Sequence, residues 1–115
     1  MHTQSQLINF CTSVFVKLGM DDNKAKDTSE ILIEADMMGH STHGIRLVPL
    51  YIKDIEAGNM TVKGDEETVK DTGSCLTING NHLPGIWLTK KFLNLAAERA
   101  QIYGTSTVLL KNSHH

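Results

Sequence analysis

Three glycines divide the first half of the chain into helix-length segments, and this spacing constrains the fold more than any other feature of the sequence. Gly19, Gly39 and Gly58 each follow a segment whose apolar residues recur at helical spacing. Glycine is common just after a helix because it readily adopts the left-handed conformation found there. The sequence therefore predicts three short helices before residue 60, the first over residues 3–18.

Each predicted helix has an apolar stripe that we expect to face a core. The stripe residues are Leu7, Phe10, Cys11, Val14 and Leu18 in the first helix, Ala25, Ile31, Leu32, Ala35 and Met38 in the second, and Leu47, Leu50, Tyr51 and Ile55 in the third. Asp21 or Asp22 offers an N-cap for the second helix. Together the three stripes predict a helical domain over residues 1–60.

The pattern changes after Gly58, where the chain becomes polar and loses its helical period. Short strands are predicted at residues 68–70 and 75–78, with a turn at 79–81. A fourth helix follows, and residues 107–110 predict a buried strand. The predicted stripe of the fourth helix is Leu88, Phe92, Leu95, Ala96 and Ile102, with Gly104 at its end. This order predicts an α+β fold in which residues 61–115 form the beginning of a sheet domain. Because so few strands bury only a thin core, we expect this sequence to be the N-terminal part of a longer protein.

Composition argues against several classes of protein. The 11 Lys and Arg residues stand against 13 Asp and Glu residues, and this net charge of −2 disfavours a nucleic-acid partner. No apolar run approaches the ~20 residues that span a bilayer, and no secretory signal begins the sequence, so we expect a cytoplasmic protein without a membrane partner. Cys11 and Cys75 lie in apolar contexts outside any CxxC pair, so both are expected to be reduced thiols.

The segment after Gly39 carries the candidate chemistry. Histidine is suited to moving protons near neutral pH, and His43 lies where the third helix is expected to begin. A helix N-terminus favours an anion, and Ser41 and Thr42 add hydroxyl donors. Arg46 adds a guanidinium group suited to binding a carboxylate. Tyr51 lies about two helical turns beyond His43, so its side chain could face the same side. The segment predicts a pocket for a small carboxylate beside an imidazole.

Structural roles for the same residues remain open on sequence alone. Ser41 and Thr42 are typical helix caps. An arginine such as Arg46 is most often a solvated surface charge, and a tyrosine such as Tyr51 most often packs in the core. The sequence contains no GxGxxG, P-loop or GxSxG pattern, so a Rossmann fingerprint and a serine-hydrolase elbow are absent.

A metal site is the weaker alternative for the histidines. Its ligands would be His40, His43, His114 and His115. The sequence has no HExxH pattern, and the first pair has no obvious third ligand, so we expect no metal. The terminal pair alone is also typical of an expression-tag remnant.

Two motifs resemble a known family. The first comprises residues 35–45, with the letters ADMMGHSTHGI, and continues through residues 49–51 and 56–58. The second is a helix and strand over residues 96–110, followed by Asn-Ser-His-His at 112–115. In this order and separation they resemble the N-terminal portion of the malate/L-lactate dehydrogenase family. That family includes sulfolactate and ureidoglycolate dehydrogenases and diketogulonate reductase.

The resemblance implies an oxidoreductase that uses NAD or NADP on a 2-hydroxy or 2-oxo acid like malate or lactate. It implies a homodimer and a cofactor fold other than the Rossmann fold, with cofactor residues unknown in this sequence. His115 occupies the place of the catalytic histidine. Thr42 and His43 match a Ser-His pair at the substrate site, and Tyr51 matches a tyrosine lining that site in some members.

One position departs from the family pattern. Several members have an arginine four residues after the histidine that aligns with His43, where this chain has Leu47. Arg46 is one residue earlier, about 100° around a helix, so whether it reaches the same carboxylate stays open. We expect these 115 residues to be inactive by themselves. The alternative function is a non-catalytic helical interaction module or remnant.

Overall fold

The first helix, α1, begins where the sequence supplies a cap. It spans Gln4–Lys17 in the computed structural model, which describes residues 1–114. The Thr3 hydroxyl accepts a hydrogen bond from the Gln6 backbone N–H, and the Gln6 side chain accepts one from the Thr3 N–H. This reciprocal box satisfies two backbone donors that a helix start otherwise leaves unpaired. The limits agree with the helix predicted over residues 3–18.

Two more helices complete the first of two compact units, which covers Met1–Lys63. Helix α2 spans Asp22–Met37 and helix α3 spans Val48–Glu56. Two 3₁₀ turns, Ser41–His43 and Ile45–Leu47, connect them. The third helix was expected directly after the polar connection at residues 40–44 and begins slightly later, because Ile45–Leu47 forms a separate turn.

The core of the first unit only partly follows the predicted stripes. Its buried apolar residues are Cys11, Phe15, Met20, Ala25, Leu32, Ile33, Val48, Tyr51 and Met60. The inward placement of Phe10, Met38 and Leu50 was wrong, since all three are exposed. On α1 the pair Cys11 and Phe15, four residues apart, defines the buried face, and Phe10 lies about 100° from Cys11.

The second unit begins at Gly64 and contains a three-stranded mixed sheet. Strands β1, Glu67–Asp71, and β2, Cys75–Asn79, form an antiparallel hairpin. Helix α4, Gly85–Tyr103, then leads to β3, Thr107–Lys111, which pairs in parallel with β2. A parallel pair needs such a crossover connection. The α+β fold class is confirmed.

Helix α4 covers one face of this sheet. The core cluster comprises Leu76, Ile78, Leu83, Trp87, Leu88 and Phe92, with Leu95, Val108 and Leu110 packed against it. Two predictions were wrong here. Ile102, predicted to belong to the buried stripe of α4, is exposed. Strand β3, predicted to be buried, is only half buried, because it lies at an edge of the sheet and Leu109 is on its exposed face.

An ion pair joins α4 to the β1–β2 turn. The Arg99 guanidinium donates to both carboxylate oxygens of Asp71 and, at 3.0 Å, to the carbonyl oxygen of Gly73. Hydrogen bonding to Arg99, followed by the Gly73 N–H bond, lowers the pKa of Asp71 to about 2. Charge and geometry thus hold the hairpin turn against the helix.

Among residues 1–114, no helix combines the length and the apolar character that crossing a membrane requires. Both cysteines are free thiols, as expected; Cys11 is buried and Cys75 is exposed.

Candidate functional site

Three of the predicted site residues lie together in one turn. Ser41, Thr42 and His43 form the first 3₁₀ turn after α2, and their side chains are exposed. The His43 N–H donates to the His40 carbonyl oxygen at 2.9 Å, which closes the turn. Two hydroxyls and an imidazole are therefore presented to solvent from one short segment.

The Thr42 hydroxyl lies 2.9 Å from the Nδ1 atom of His43. Either group can be the donor, depending on the imidazole tautomer. If the hydroxyl donates, Nε2 carries the proton; if Nδ1–H donates, Nε2 is a proton acceptor. The contact engages one ring nitrogen and leaves the other for a substrate, so the pair is equipped to give or to take a proton.

This turn is held by a carboxylate that the sequence analysis did not assign. Asp36, in the last turn of α2, accepts a hydrogen bond on Oδ2 from the Ile45 N–H at 2.7 Å. Gly44 lies directly against this carboxylate, since a Cβ atom added there would overlap it. The sequence offered one indirect signal, a glycine beside the exposed polar residues. The bond itself spans nine residues and matches no helical or strand spacing.

The helix-end anion anchor expected from the sequence is not available at these residues. Helix α3 begins at Val48 with Leu47 as its cap residue, so neither Ser41 nor Thr42 caps it. The Leu47 N–H donates to the Gly44 carbonyl oxygen at 3.0 Å, and the Ile45 N–H is bound by Asp36. The N–H groups of Ile45 and Leu47 are therefore not free to bind an anion.

Arg46 and Tyr51 occupy different environments. Arg46 is exposed in the second 3₁₀ turn. Tyr51 is only 5% exposed, and its ring centroid lies 6.2 Å from that of Phe15. Burial raises the pKa of the Tyr51 phenol, which keeps it neutral. The structure thus places Tyr51 in the core of the first unit.

The second motif is described up to His114, and the candidate catalytic His115 lies outside the described residues. The His114 N–H donates to the Leu83 carbonyl oxygen at 2.9 Å, and the His114 carbonyl oxygen accepts from the Gly85 N–H at 2.9 Å. The segment that precedes His115 is therefore tied to the beginning of α4. Within residues 1–114, no group of three or more His, Cys, Asp and Glu side chains could hold a metal ion.

Gly80 and Gly85 lie at the two ends of the β2–α4 turn, which is a candidate cradle for a cofactor phosphate. Such a cradle needs unoccupied backbone N–H groups beside glycines. Here the N–H groups of Gly80, His82 and Gly85 donate to the carbonyl oxygens of Lys111, Asn112 and His114. A Cβ atom at Gly85 would also overlap the His114 carbonyl oxygen, so the chain itself fills the space. The turn does not fit a pyrophosphate.

Comparison with known proteins decides the family. A model described as malate/L-lactate dehydrogenase matches residues 2–115. The chain belongs to the malate/L-lactate dehydrogenase family. This confirms the resemblance carried by the two motifs.

Relatives and a solved structure agree with this membership. The chain is 32% identical to hydroxycarboxylate dehydrogenase B of Escherichia coli (strain K12) over 109 residues, covering 95% of this chain and 30% of that protein. It is 37% identical over 98 residues to malate/(S)-sulfolactate dehydrogenase of Methanothermus fervidus, covering 85% and 29%. The sulfolactate dehydrogenase structure from Methanocaldococcus jannaschii superposes with a TM-score of 0.95 at 29% identity, covering 98% of this chain and 33% of that one. The chain therefore spans about a third of the length of these dehydrogenases.

Proposed function

We propose that this chain is the N-terminal part of a dehydrogenase that interconverts a 2-hydroxy acid and a 2-oxo acid, malate or lactate-like, using NAD or NADP. The family consists of hydroxy acid dehydrogenases, and the observation that carries the proposal is the Thr42–His43 contact of 2.9 Å in an exposed turn. We further propose a homodimer, as the resemblance implies, and a cytoplasmic location. No cofactor-binding residue is assigned in this chain.

The proposed reaction consists of a hydride transfer and a proton transfer. Oxidation of a 2-hydroxy acid removes a hydride from carbon 2, which the nicotinamide cofactor accepts, and a proton from the hydroxyl. In the proposed roles, His115 exchanges that proton with the substrate oxygen, and His43 with Thr42 orients the acid through hydrogen bonds. Histidine suits both tasks because its protonation changes near neutral pH.

The substrate carboxylate needs donors as well. Ser41 and Thr42 supply exposed hydroxyls in the first turn, and Arg46 supplies an exposed guanidinium three residues beyond that turn. A guanidinium binds a carboxylate through two parallel hydrogen bonds, which fixes the acid as well as attracting it. We therefore assign the carboxylate to Arg46 and the hydroxyls. Tyr51 is assigned to the pocket wall, where its burial supports a packing contribution.

The test is an assay of the complete protein for oxidation of NADH and NADPH with oxaloacetate, pyruvate and related oxo acids. His115→Ala should lower kcat by about 10²- to 10⁴-fold, as loss of a proton-transfer group does. Arg46→Ala should instead raise KM for the oxo acid. Lys53→Ala, which removes an exposed cation from α3, is the matched control.

Two results would contradict the proposal. Unchanged turnover in His115→Ala would remove the proton role of this residue. No turnover with any oxo acid, and no binding of NADH or NADPH, would favour the interaction module instead.

A further inference from the structure

The exposed turn that carries Thr42 and His43 is braced from inside the first unit. Exposed connecting segments are ordinarily mobile because few buried contacts restrain them. Here the His40 N–H donates to the Ala35 carbonyl oxygen at 2.8 Å on one side of the turn. On the other side, the Asp36 carboxylate accepts from the Ile45 N–H at 2.7 Å. The last turn of α2 therefore holds both ends of the segment.

The bond from Asp36 is of the stronger kind. A carboxylate that accepts from a backbone N–H forms a charge-assisted hydrogen bond, roughly twice as strong as a neutral one. Asp36 is also half buried, which excludes part of the competing water. The Asp36 charge also acts on Cys11. The pKa of this thiol is raised mainly by burial and to a smaller extent by the Asp36 charge. The carboxylate thus acts on the interior of the unit as well as on the turn.

Gly44 is the residue that makes this bond possible. Its φ of −99° is negative, so the left-handed conformation that favours glycine is not the reason for this residue. The reason is space, since a Cβ atom at position 44 would overlap the carboxylate of Asp36. Asp36 and Gly44 form a matched pair, in which the missing side chain of one admits the carboxylate of the other.

We propose that Asp36 is a positioning residue for the substrate site: with Gly44, it locks the Ser41–His43 turn so that Thr42 and His43 meet the acid in one fixed arrangement. This inference rests on the proposed function for its catalytic consequence and on the geometry alone for the lock. Fixed donors matter because a loosely held group loses much of its effect on a reacting substrate. Asp36 itself touches neither substrate nor proton in this role.

The lock is tested first without any activity. In Asp36→Ala, the Ile45 amide should exchange its hydrogen with solvent about tenfold faster or more, measured by NMR on the 115-residue chain. Glu34→Ala is the matched control, since it removes an exposed carboxylate from the same helix, and it should leave this rate unchanged. Circular dichroism verifies that both variants are folded. Unchanged protection of Ile45 in a folded Asp36→Ala variant would overturn the lock.

A double-mutant cycle tests the pairing with Gly44. Gly44→Ala alone should destabilise the chain because its methyl group meets the carboxylate. In the Asp36→Ala background that carboxylate is gone, so the same substitution should cost much less. Such non-additivity is expected only of residues in contact. Additive effects on the urea midpoint would contradict the matched pair.

The catalytic consequence is tested in the complete protein. Asp36→Ala should lower kcat/KM for the preferred oxo acid by about tenfold to a hundredfold, as loss of a hydrogen bond to a charged group does. Asp36→Asn should restore most of it, because the amide oxygen can accept from the Ile45 N–H. Faster Ile45 exchange with unchanged kcat/KM would overturn the positioning role. A complete protein inactive on all oxo acids would refute the proposed function while leaving the amide-exchange result to decide the lock.

Discussion

Burial and a neighbouring carboxylate act in the same direction at Cys11. Its side chain is fully buried, and its pKa is raised by desolvation and then by Asp36. The thiolate is the nucleophilic form, so a raised pKa and a closed environment both suppress reaction. Cys75, in contrast, is exposed on β2.

We therefore predict that iodoacetamide at pH 8 alkylates Cys75 and spares Cys11 in the native 115-residue chain. Mass spectrometry of the tryptic peptides measures both sites in one sample. The control is the same reaction in urea, where both cysteines should react. Equal labelling of the two under native conditions would show that Cys11 is not protected as described.

Individual side chains were harder to predict from sequence than elements were. Thr42 and His43 are adjacent in the chain, so any local structure keeps them together, and the motif identified them. The sequence left open whether Asp36 faces the site or water, because its bond to Ile45 depends on how α2 and the turn meet in space. Tyr51 was left open between pocket and core, and the structure buries it with its ring beside that of Phe15.

At the scale of elements, the Asp71–Arg99 pair couples α4 to the hairpin in a pH-dependent way. The pKa of Asp71 is lowered in the folded chain to about 2, from an ordinary value of 3.8. A carboxyl group with a depressed pKa adds stability above its ordinary pKa and loses that contribution as the pH falls through the depressed value. The contribution should be complete above about pH 5, largely lost near pH 2 and absent only below that pH.

Asp71→Asn should therefore lower the thermal unfolding midpoint by a few degrees at pH 7, while the midpoints of variant and wild type converge near pH 2. Circular dichroism across this pH range measures the difference. Asp65→Asn is the matched control, because it removes an exposed carboxylate from the same unit with no ion pair among the described residues. A constant difference at all pH values would show that the charge of Asp71 is not responsible.

Local signals in the sequence determine where the helices and strands lie, but they do not determine which face of each element is buried. Glycines, the Thr3 cap and apolar periodicity lie within a few residues of the boundaries that they determine, so the limits of α1 were predicted closely. The choice of Phe15 over Phe10 for the core depends on the angle at which α2 packs against α1. That angle arises from contacts distant in sequence, and periodicity carries no information about it.

At the scale of the whole molecule, the second unit leaves apolar surface open within the part of the chain that the structure describes. A groove of 210 Å³ lies between α4 and β3. Its lining residues are Thr89, Phe92, Leu93, Ala96, Val108 and Leu110. Beside it, β3 is the edge strand of the sheet, and Leu93 is 66% exposed. An open apolar groove next to an edge strand favours association, since contact removes apolar area from water and pairs backbone groups.

We therefore predict that the 115-residue chain self-associates through this groove. Sedimentation velocity should show a mean mass that rises above 12.7 kDa with concentration. Leu93→Lys should keep the mass near the monomer value by placing a charge in the groove. Ile102→Lys is the matched control, because Ile102 is 73% exposed on the same helix and does not line the groove. If both variants reduced association equally, general apolar exposure would be the cause, and a wild-type chain that stayed monomeric throughout would refute the prediction. Association confined to the groove would mean that the α4–β3 face attracts apolar surface in its own right.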